Sequence, residues 1–142
     1  MRLWPIAILD QLPRQQLLGQ HRECCALRGK GWGRKHTTVD YVFTHPYFYL
    51  FAYHKKVFEE MVCRGYKIAI EWGCSDYRGK AIGDEHSEFT SWDVNIIQYL
   101  KKNPSIYLEH DESYLDKCIA NLAEKGVIIN REKALERIRI VA

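Results

Sequence analysis

The most regular pattern of apolar positions in the chain lies between Pro46 and Gly65. Its members recur at i, i+3, i+4 and i+7 spacing: Leu50, Phe51, His54, Val57, Phe58, Met61 and Val62. That spacing places them on one stripe of an α-helix. We predict a helix that opens near Thr44-His45-Pro46, where proline suits the first turn, and that ends at Gly65.

A second amphipathic segment runs from about Leu12 to Leu27, with Pro13 near its start and Gly29 beyond its end. We predict a helix here as well. One side of its helical wheel carries Leu17, Leu18, His21, Cys24, Cys25 and Arg28, and the other carries Gln16, Gly19, Gln20, Glu23 and Ala26. Arg22 lies at the edge between the two sides.

Three shorter helices are predicted in the second half of the chain. Thr90-Ser91-Trp92-Asp93 resembles a capping box and would open a helix that carries Ile96, Ile97 and Leu100 and stops at Asn103-Pro104. Another helix follows Asp111 and ends at Gly126. Asn130 would cap a last amphipathic helix.

The rest of the pattern contains little that favours strands. Only residues 66–70 and 126–129 show short β-favouring runs, and residues 66–88 are otherwise irregular. We therefore predict an all-α fold: one compact helical bundle of about four to five helices over residues 1–142, with an irregular middle segment.

Length and composition fit this single domain. The chain has 142 residues, of which 46% are apolar and 27% charged, enough for a core without disulfides. The net charge of +3 permits a nucleic-acid partner but does not demand one. No signal peptide and no apolar run of 18 residues is visible, so we expect a monomeric cytoplasmic protein that does not enter membranes.

The five cysteines do not predict a metal site. They contain no CxxC pair, and reduced thiols are the simplest interpretation. His21, Cys24, Cys25 and Cys63 could supply zinc ligands in principle, but adjacent cysteines have poor ligand spacing. We predict that His21 is a core histidine and that the protein uses no metal and no cofactor.

The residues that carry chemistry surround the first helix. Arg22-Glu23 places a cation beside a carboxylate, on a face where Gly19 and Ala26 leave room for a bulky ligand. The alternative, which spacing alone favours, is an ordinary solvated helix surface. A basic loop follows, with Lys30, Arg34, Lys35 and His36 among its residues.

An ordered set of segments resembles the phage-type pyrimidine-dimer DNA glycosylases. The set consists of Leu17, Arg22-Glu23, Gly29, Gly33-Arg34-Lys35-His36, the helix that ends in Cys63-Arg64-Gly65-Tyr66, and residues 107–113. The resemblance is clearest over residues 14–67, is thinner over 105–126, and does not extend over most of 68–104 or beyond 127. No single motif of the set is specific for this family, but the occurrence of all of them in this order is.

The resemblance implies a helical repair enzyme without metal or organic cofactor. In that family the free α-amine at the chain start attacks C1′ of the damaged nucleotide, displaces the base and forms an imine, and β-elimination then cuts the strand. A glutamate on the first helix assists, and its position matches Glu23. Because Arg2 is too bulky to allow removal of the initiator residue, we expect the amine to belong to Met1.

The resemblance also implies contact with double-stranded DNA that carries a damaged base, and hence a place at the nucleoid. We expect phosphate contacts from Arg2, Arg22, Arg34, Lys35 and His36, with Lys30 on the same face. The family's next helix arginine falls on Ala26, so that contact is lost unless Arg28 replaces it. The aromatic and basic C-terminal tail is also missing, and residues 77–82 could serve instead or form a solvated loop.

Two other functions remain open at the sequence level. One is a DNA-binding relative that keeps the scaffold without catalysis, which the altered chain start and the missing tail favour. The other is a small helical protein with no nucleic-acid role, which the modest net charge favours.

Overall fold

The computed structural model describes residues 2–34, 38–84 and 94–139 of the chain. Five α-helices follow one another: α1 (Arg14–Arg28), α2 (Tyr47–Cys63), α3 (Val94–Lys102), α4 (Glu112–Glu124) and α5 (Arg131–Arg139). Short 3-10 helices cover Ile6–Gln11, Asp40–Thr44 and Ile70–Gly73. The described ranges hold no strand, only one isolated bridge between Tyr77 and Asp84. The predicted all-α fold is confirmed.

Helices α1 and α2 pack against each other and form the centre of the core. Their fully buried apolar side chains include Leu17, Cys24 and Leu27 from α1, and Leu50, Val57 and Met61 from α2. The predicted stripe of α2 is therefore confirmed over most of its length. Val62 is the exception, because it lies at the end of the helix and is 56% exposed.

The boundaries of these two helices have local causes. Pro13 is the N-cap of α1 rather than its first residue, so α1 begins at Arg14. Helix α2 ends at Cys63, where Gly65 adopts a positive φ of 77° and the Tyr66 nitrogen donates back to the carbonyl of Met61. A left-handed residue at this place is the usual helix stop, and glycine adopts it without strain.

Residues 2–12 pack against the rest of the protein and contribute several side chains to its core. Leu3 and Ile8 are fully buried, and Leu12 is 2% exposed. Arg64 near the end of α2 donates to the carbonyls of Leu9 and Asp10. These contacts attach the segment before α1 to the α1–α2 pair, and they help to place the backbone of Arg2 beside α1.

Asn130 caps the last helix as predicted, and Asp111 is the N-cap of α4, the helix that was predicted to follow it. Asp111 accepts from the Tyr114 nitrogen at 2.9 Å, and Asn130 Oδ1 accepts from the Lys133 nitrogen at 3.1 Å. The capping box predicted at Thr90-Ser91-Trp92-Asp93 lies outside the described residues. None of the helices in the described part of the chain is both long and apolar enough to cross a bilayer.

Residues 66–84 are mainly irregular, as predicted, and a buried arginine holds them in place. Arg28 is fully buried and donates hydrogen bonds of 2.8 to 3.2 Å to the carbonyls of Trp72, Cys74 and Tyr77. Because a guanidinium carries five N–H donors, one side chain can satisfy several carbonyls of a loop that has no strand or helix partner.

Candidate active site around Glu23

Glu23 lies on α1 at the point where the start of the chain crosses the helix. Its side chain is half-buried. The backbone nitrogen of Arg2 donates to Glu23 Oε2 at 3.2 Å, and Gln20 Nε2 donates to the same oxygen at 3.3 Å. The carboxylate is therefore held by the first residues of the chain, which are far from it in sequence.

Gln20 organises this contact. Its Oε1 accepts from the Trp4 nitrogen at 2.6 Å and from the Tyr53 hydroxyl at 3.1 Å, and its Nε2 also donates to the carbonyl of Arg2 at 3.2 Å. We predicted Gln20 on the polar side of α1, and it is instead 1% exposed. The wheel was misleading because the segment around Trp4 covers this part of the helix.

A hydrogen bond from α4 also holds residues 2–4 in place. The Tyr114 hydroxyl donates to the carbonyl of Leu3 at 2.6 Å. The Tyr53 hydroxyl of α2 shares its single proton between the carbonyl of Trp4 and Gln20 Oε1. Three helices thus hold consecutive peptide units of residues 2–4, and the backbone of Arg2 has a defined place beside Glu23.

Two opposing effects act on the pKa of Glu23. Burial raises the pKa of its carboxyl group, because the charged form loses hydration. The hydrogen bonds from Arg2 and Gln20 and the positive charge of Lys125 act in the opposite direction and stabilise the carboxylate. The result is an acid placed close to donors and to a cation, with its pKa above the ordinary value.

Lys125, at the end of α4, is a site residue that the sequence did not reveal. Its side chain is exposed, and its ammonium nitrogen lies 5.4 Å from the ring centroid of Trp4. Its positive charge acts to lower the pKa of Glu23. The only local signal is a lysine after a helix, which is common near helix ends. Its proximity to Glu23 results from the packing of α4 against the start of the chain.

The predicted DNA-contacting residues divide into three groups. Arg22 and Arg34 are exposed, as is Lys30 on the same stretch of chain. Arg2 is half-buried, and its guanidinium contacts the Cys118 thiol, whose pKa is raised by burial and lowered by this contact. Met1, Lys35 and His36 lie outside the described residues.

Burial removes two arginines from the suggested replacements for missing DNA contacts, while Lys80 of residues 77–82 is exposed and leaves the role of that segment a prediction. Arg28 is fully buried beneath the irregular segment, so it cannot take the role of the arginine that is absent at Ala26. Within residues 77–82, Arg78 is 7% exposed, with its guanidinium carbon 3.5 Å from the ring centroid of Tyr47. Both arginine side chains lie inside the protein, where backbone carbonyls accept their hydrogen bonds and aromatic rings pack against their guanidinium groups.

The space predicted beside Glu23 is open. Ala26 is exposed, and a Cβ added to Gly19 would have the Arg22 guanidinium as its nearest neighbour, at 3.9 Å. This face of α1 therefore presents a carboxylate, exposed cations and little side-chain bulk. Such a surface can approach a phosphate backbone and place an acid near a sugar.

Comparison with known proteins gives one match. The family model described as pyrimidine dimer DNA glycosylase matches residues 1–73, which include the chain start, α1 and α2. No curated protein and no solved structure matches the chain. Because the match covers more than half of the 142 residues and contains the whole of the site around Glu23 except Lys125 and Tyr114, the chain belongs to the pyrimidine dimer DNA glycosylase family of DNA-repair proteins.

Proposed function

We propose that this protein is a DNA glycosylase with β-elimination lyase activity on UV-damaged duplex DNA, with the α-amine of Met1 as nucleophile and Glu23 as the assisting acid–base. The observation that carries the proposal is the 3.2 Å hydrogen bond from the Arg2 nitrogen to Glu23 Oε2. It ties the second residue of the chain to the carboxylate that the reaction needs.

Covalent geometry extends this bond to the proposed nucleophile. The α-nitrogen of residue 1 is three bonds from the Arg2 nitrogen, which limits their separation to about 3.7 Å. Added to the hydrogen bond, this leaves the amine within about 7 Å of Glu23 Oε2 for any conformation of residue 1. A deoxyribose between the two groups could contact both.

The chemistry suits an α-amine. Its ordinary pKa is about 8, against about 10.4 for lysine, so a useful fraction is neutral at physiological pH. Attack on C1′ forms a C–N bond while the bond to the base breaks and the base leaves with its electron pair. Loss of a proton from the amine and cleavage of the C1′–O4′ bond, with O4′ leaving as a hydroxyl, then open the sugar ring and give an iminium. This iminium makes the C2′ proton acidic, and removal of that proton expels the 3′ phosphate and cuts the strand. A nearby carboxylate stabilises the cationic intermediate and accepts the proton.

We assign DNA binding to exposed cationic side chains around the face of α1 that carries Glu23. Arg22 and Arg34 are assigned phosphate contacts, joined by Lys30, and Lys35 and His36 remain proposed members of the set. Arg2 is assigned to hold the chain start, since its guanidinium faces Cys118. Reaching C1′ requires the damaged nucleotide to leave the stack, which damaged bases do at a lower energetic cost than intact ones.

Borohydride trapping on duplex DNA with an abasic site tests the lyase. We expect the wild-type protein to form a covalent adduct that Glu23→Gln greatly reduces, because the amide cannot accept a proton. The matched control is Glu136→Gln, which alters an exposed carboxylate on α5 and should leave the adduct yield unchanged. Strand cleavage of UV-irradiated DNA tests the glycosylase step in the same variants.

Peptide mapping of the trapped adduct tests the nucleophile. The modified peptide should begin at residue 1, and one additional residue placed before Met1 should lower the yield. Lys125 is the rival amine because its charge reaches Glu23. An adduct that maps to Lys125, or one that Lys125→Gln abolishes, would overturn the assignment to the α-amine.

The non-catalytic relative predicts a different set of results. It would bind duplex DNA in a salt-dependent manner, form no adduct, and bind equally well after Glu23→Gln. Absence of duplex binding at about 50 mM salt, where phosphate contacts are strongest, would remove both DNA-directed functions.

A further inference from the structure

Two histidines and a cysteine converge between α1 and α2. His21 and Cys25 are one turn apart on α1, and His54 lies on the facing side of α2. His21 Nδ1 is 2.8 Å from His54 Nε2, and Cys25 Sγ is 3.6 Å from His21 Nε2 and 3.9 Å from Nδ1. One ligand atom from each residue lies within 4.8 Å of the others.

We propose that His21, Cys25 and His54 form a site for a divalent transition-metal ion with the ligand preferences of zinc. The sequence predicted no metal site, because the candidate ligands His21, Cys24, Cys25 and Cys63 include adjacent cysteines with poor ligand spacing and no CxxC pair. Cys24 is fully buried and Cys63 is exposed at the end of α2, and neither joins the cluster. His54 supplies the third ligand, and only the packing of α2 brings it to His21.

The geometry is close to that of a tetrahedral ion. Zinc binds histidine nitrogen at about 2.0 to 2.1 Å and cysteine sulfur at about 2.3 Å, which holds ligand atoms about 3.3 to 3.6 Å apart. The distance from His21 Nδ1 to His54 Nε2, 2.8 Å, is shorter than this range, and the distance from His21 Nδ1 to Cys25 Sγ, 3.9 Å, is longer. To bind one ion through these atoms, His21 Nδ1 and His54 Nε2 must move apart from 2.8 Å, and Cys25 Sγ must move closer to His21 Nδ1 from 3.9 Å.

The protonation states favour the nitrogen ligands. Burial lowers the pKa of His21 and lowers that of His54 well below the usual value, so both imidazoles are neutral and keep a lone pair. Burial raises the pKa of the Cys25 thiol to about 11, and the positive charge of Arg28 acts against that rise. Bound metal supplies the stronger stabilisation of the thiolate.

Arg28 limits how tightly the ion is held. Its Nη1 lies 2.9 Å from His54 Nδ1 and also donates to the carbonyl of Trp72 at 2.8 Å. Without metal, Arg28 donates to His54 Nδ1, and His54 donates from Nε2 to His21. Metal on Nε2 moves the ring proton to Nδ1, so Arg28 must give up its bond to His54 while it retains its carbonyl partners.

The site differs from the proposed DNA site in position and role. His21 and Glu23 are two residues apart on α1 and therefore point about 200° away from each other. His21 and Cys25 are half-buried, which leaves a path for the ion and a fourth position for water or an added ligand. Metal here joins α1 to α2, so we infer a stabilising role independent of DNA chemistry.

Cobalt titration of the full-length reduced protein tests the proposal. We expect one Co²⁺ per chain, with a thiolate-to-cobalt charge-transfer band in the near ultraviolet and visible bands of tetrahedral intensity. Cys25→Ser should remove the charge-transfer band and weaken binding by about 100-fold or more. The matched controls are Cys63→Ser and Cys74→Ser, which change exposed thiols and should leave the spectrum intact.

A thermal measurement keeps the test independent of the spectrum. Zn²⁺ should raise the melting temperature of the wild type and of the two control variants, and should not raise that of Cys25→Ser or His21→Asn. A wild type without a cobalt band, or a band that survives Cys25→Ser, would leave only a hydrogen-bonded chain from Arg28 through His54 to His21 and would overturn the proposal. These readouts do not depend on adduct formation, so the proposed function can fail separately.

Discussion

The side-chain oxygen of Gln20 accepts a 2.6 Å hydrogen bond from the backbone nitrogen of Trp4, and this contact is buried between α1 and the start of the chain. Through the same side chain, Arg2 and Glu23 are joined. Gln20 thus acts on the proposed chemistry through other residues, as a positioning residue for the chain start.

Replacing Gln20 with leucine should affect both stability and reaction. The change leaves the Trp4 nitrogen, the Tyr53 hydroxyl and the Arg2 carbonyl without this partner, and we expect the free energy of unfolding to fall by about 2 to 4 kcal/mol. Urea denaturation measures this loss. Gln15→Leu, on the exposed side of α1, should change stability by no more than about 0.5 kcal/mol.

The same variant separates positioning from DNA affinity. Folded Gln20→Leu protein should form borohydride adducts more slowly, while its duplex affinity stays close to wild type, because the exposed cations are untouched. An equal loss of affinity and adduct rate would indicate a general structural effect instead.

Removing the charge of Lys125 should weaken DNA binding without regard to sequence. If Lys125 contacts a phosphate beside Glu23, Lys125→Gln should reduce the slope of log affinity against log salt concentration by about 1. Binding measured at several salt concentrations provides the slope. Lys67→Gln, an exposed lysine beyond α2, should leave it unchanged.

Replacing Arg28 with methionine should loosen residues 72–77. The carbonyls of Trp72, Cys74 and Tyr77 would lose a buried donor, and we expect a loss of about 3 kcal/mol or more in stability. Hydrogen exchange and limited proteolysis should report opening of this loop first. Lys80→Met, an exposed change in the neighbouring turn, should keep wild-type protection, and an unaltered loop in Arg28→Met would contradict the role assigned to Arg28.

Acid should destabilise the protein through His110. Burial lowers the pKa of this histidine to about 3, and its Nδ1 has no hydrogen-bond partner among the described residues. The unfolded chain therefore binds a proton near pH 6.5 that the folded protein accepts only near pH 3. The contribution to stability is complete above pH 6.5 and falls by about 1.4 kcal/mol per pH unit until pH 3.

Denaturation between pH 7 and pH 4 measures that dependence. His110→Gln should make the decline shallower, because the contribution of His110 to the proton-binding difference disappears while the contributions of His21 and His54 remain. NMR titration of the wild type provides an independent check, and an imidazole of His110 that titrates near pH 6.5 in the folded protein would refute the assignment.

The sequence by itself determined the helices and the family. The stripe of α2, the stop at Gly65, the helix after Asp111 and the cap Asn130 depend on contacts within a few residues, and the spacing of residues along the chain predicts such contacts. The family comparison confirms the family that the ordered set of residues around Glu23 resembled, and the catalytic role of Glu23 stays a prediction.

The tertiary structure decided which polar residues face inward and which distant residues meet. Periodicity placed Gln20 on the polar side of α1 although the start of the chain covers it. It placed Arg28 and His54 on inward sides but could not show that Arg28 donates to the carbonyls of residues 72–77 or that His54 lies against His21. Lys125 and Tyr114 reach the site only because α4 packs on the start of the chain. Burial and charge proximity depend on what lies across the interface, and no local pattern contains that information.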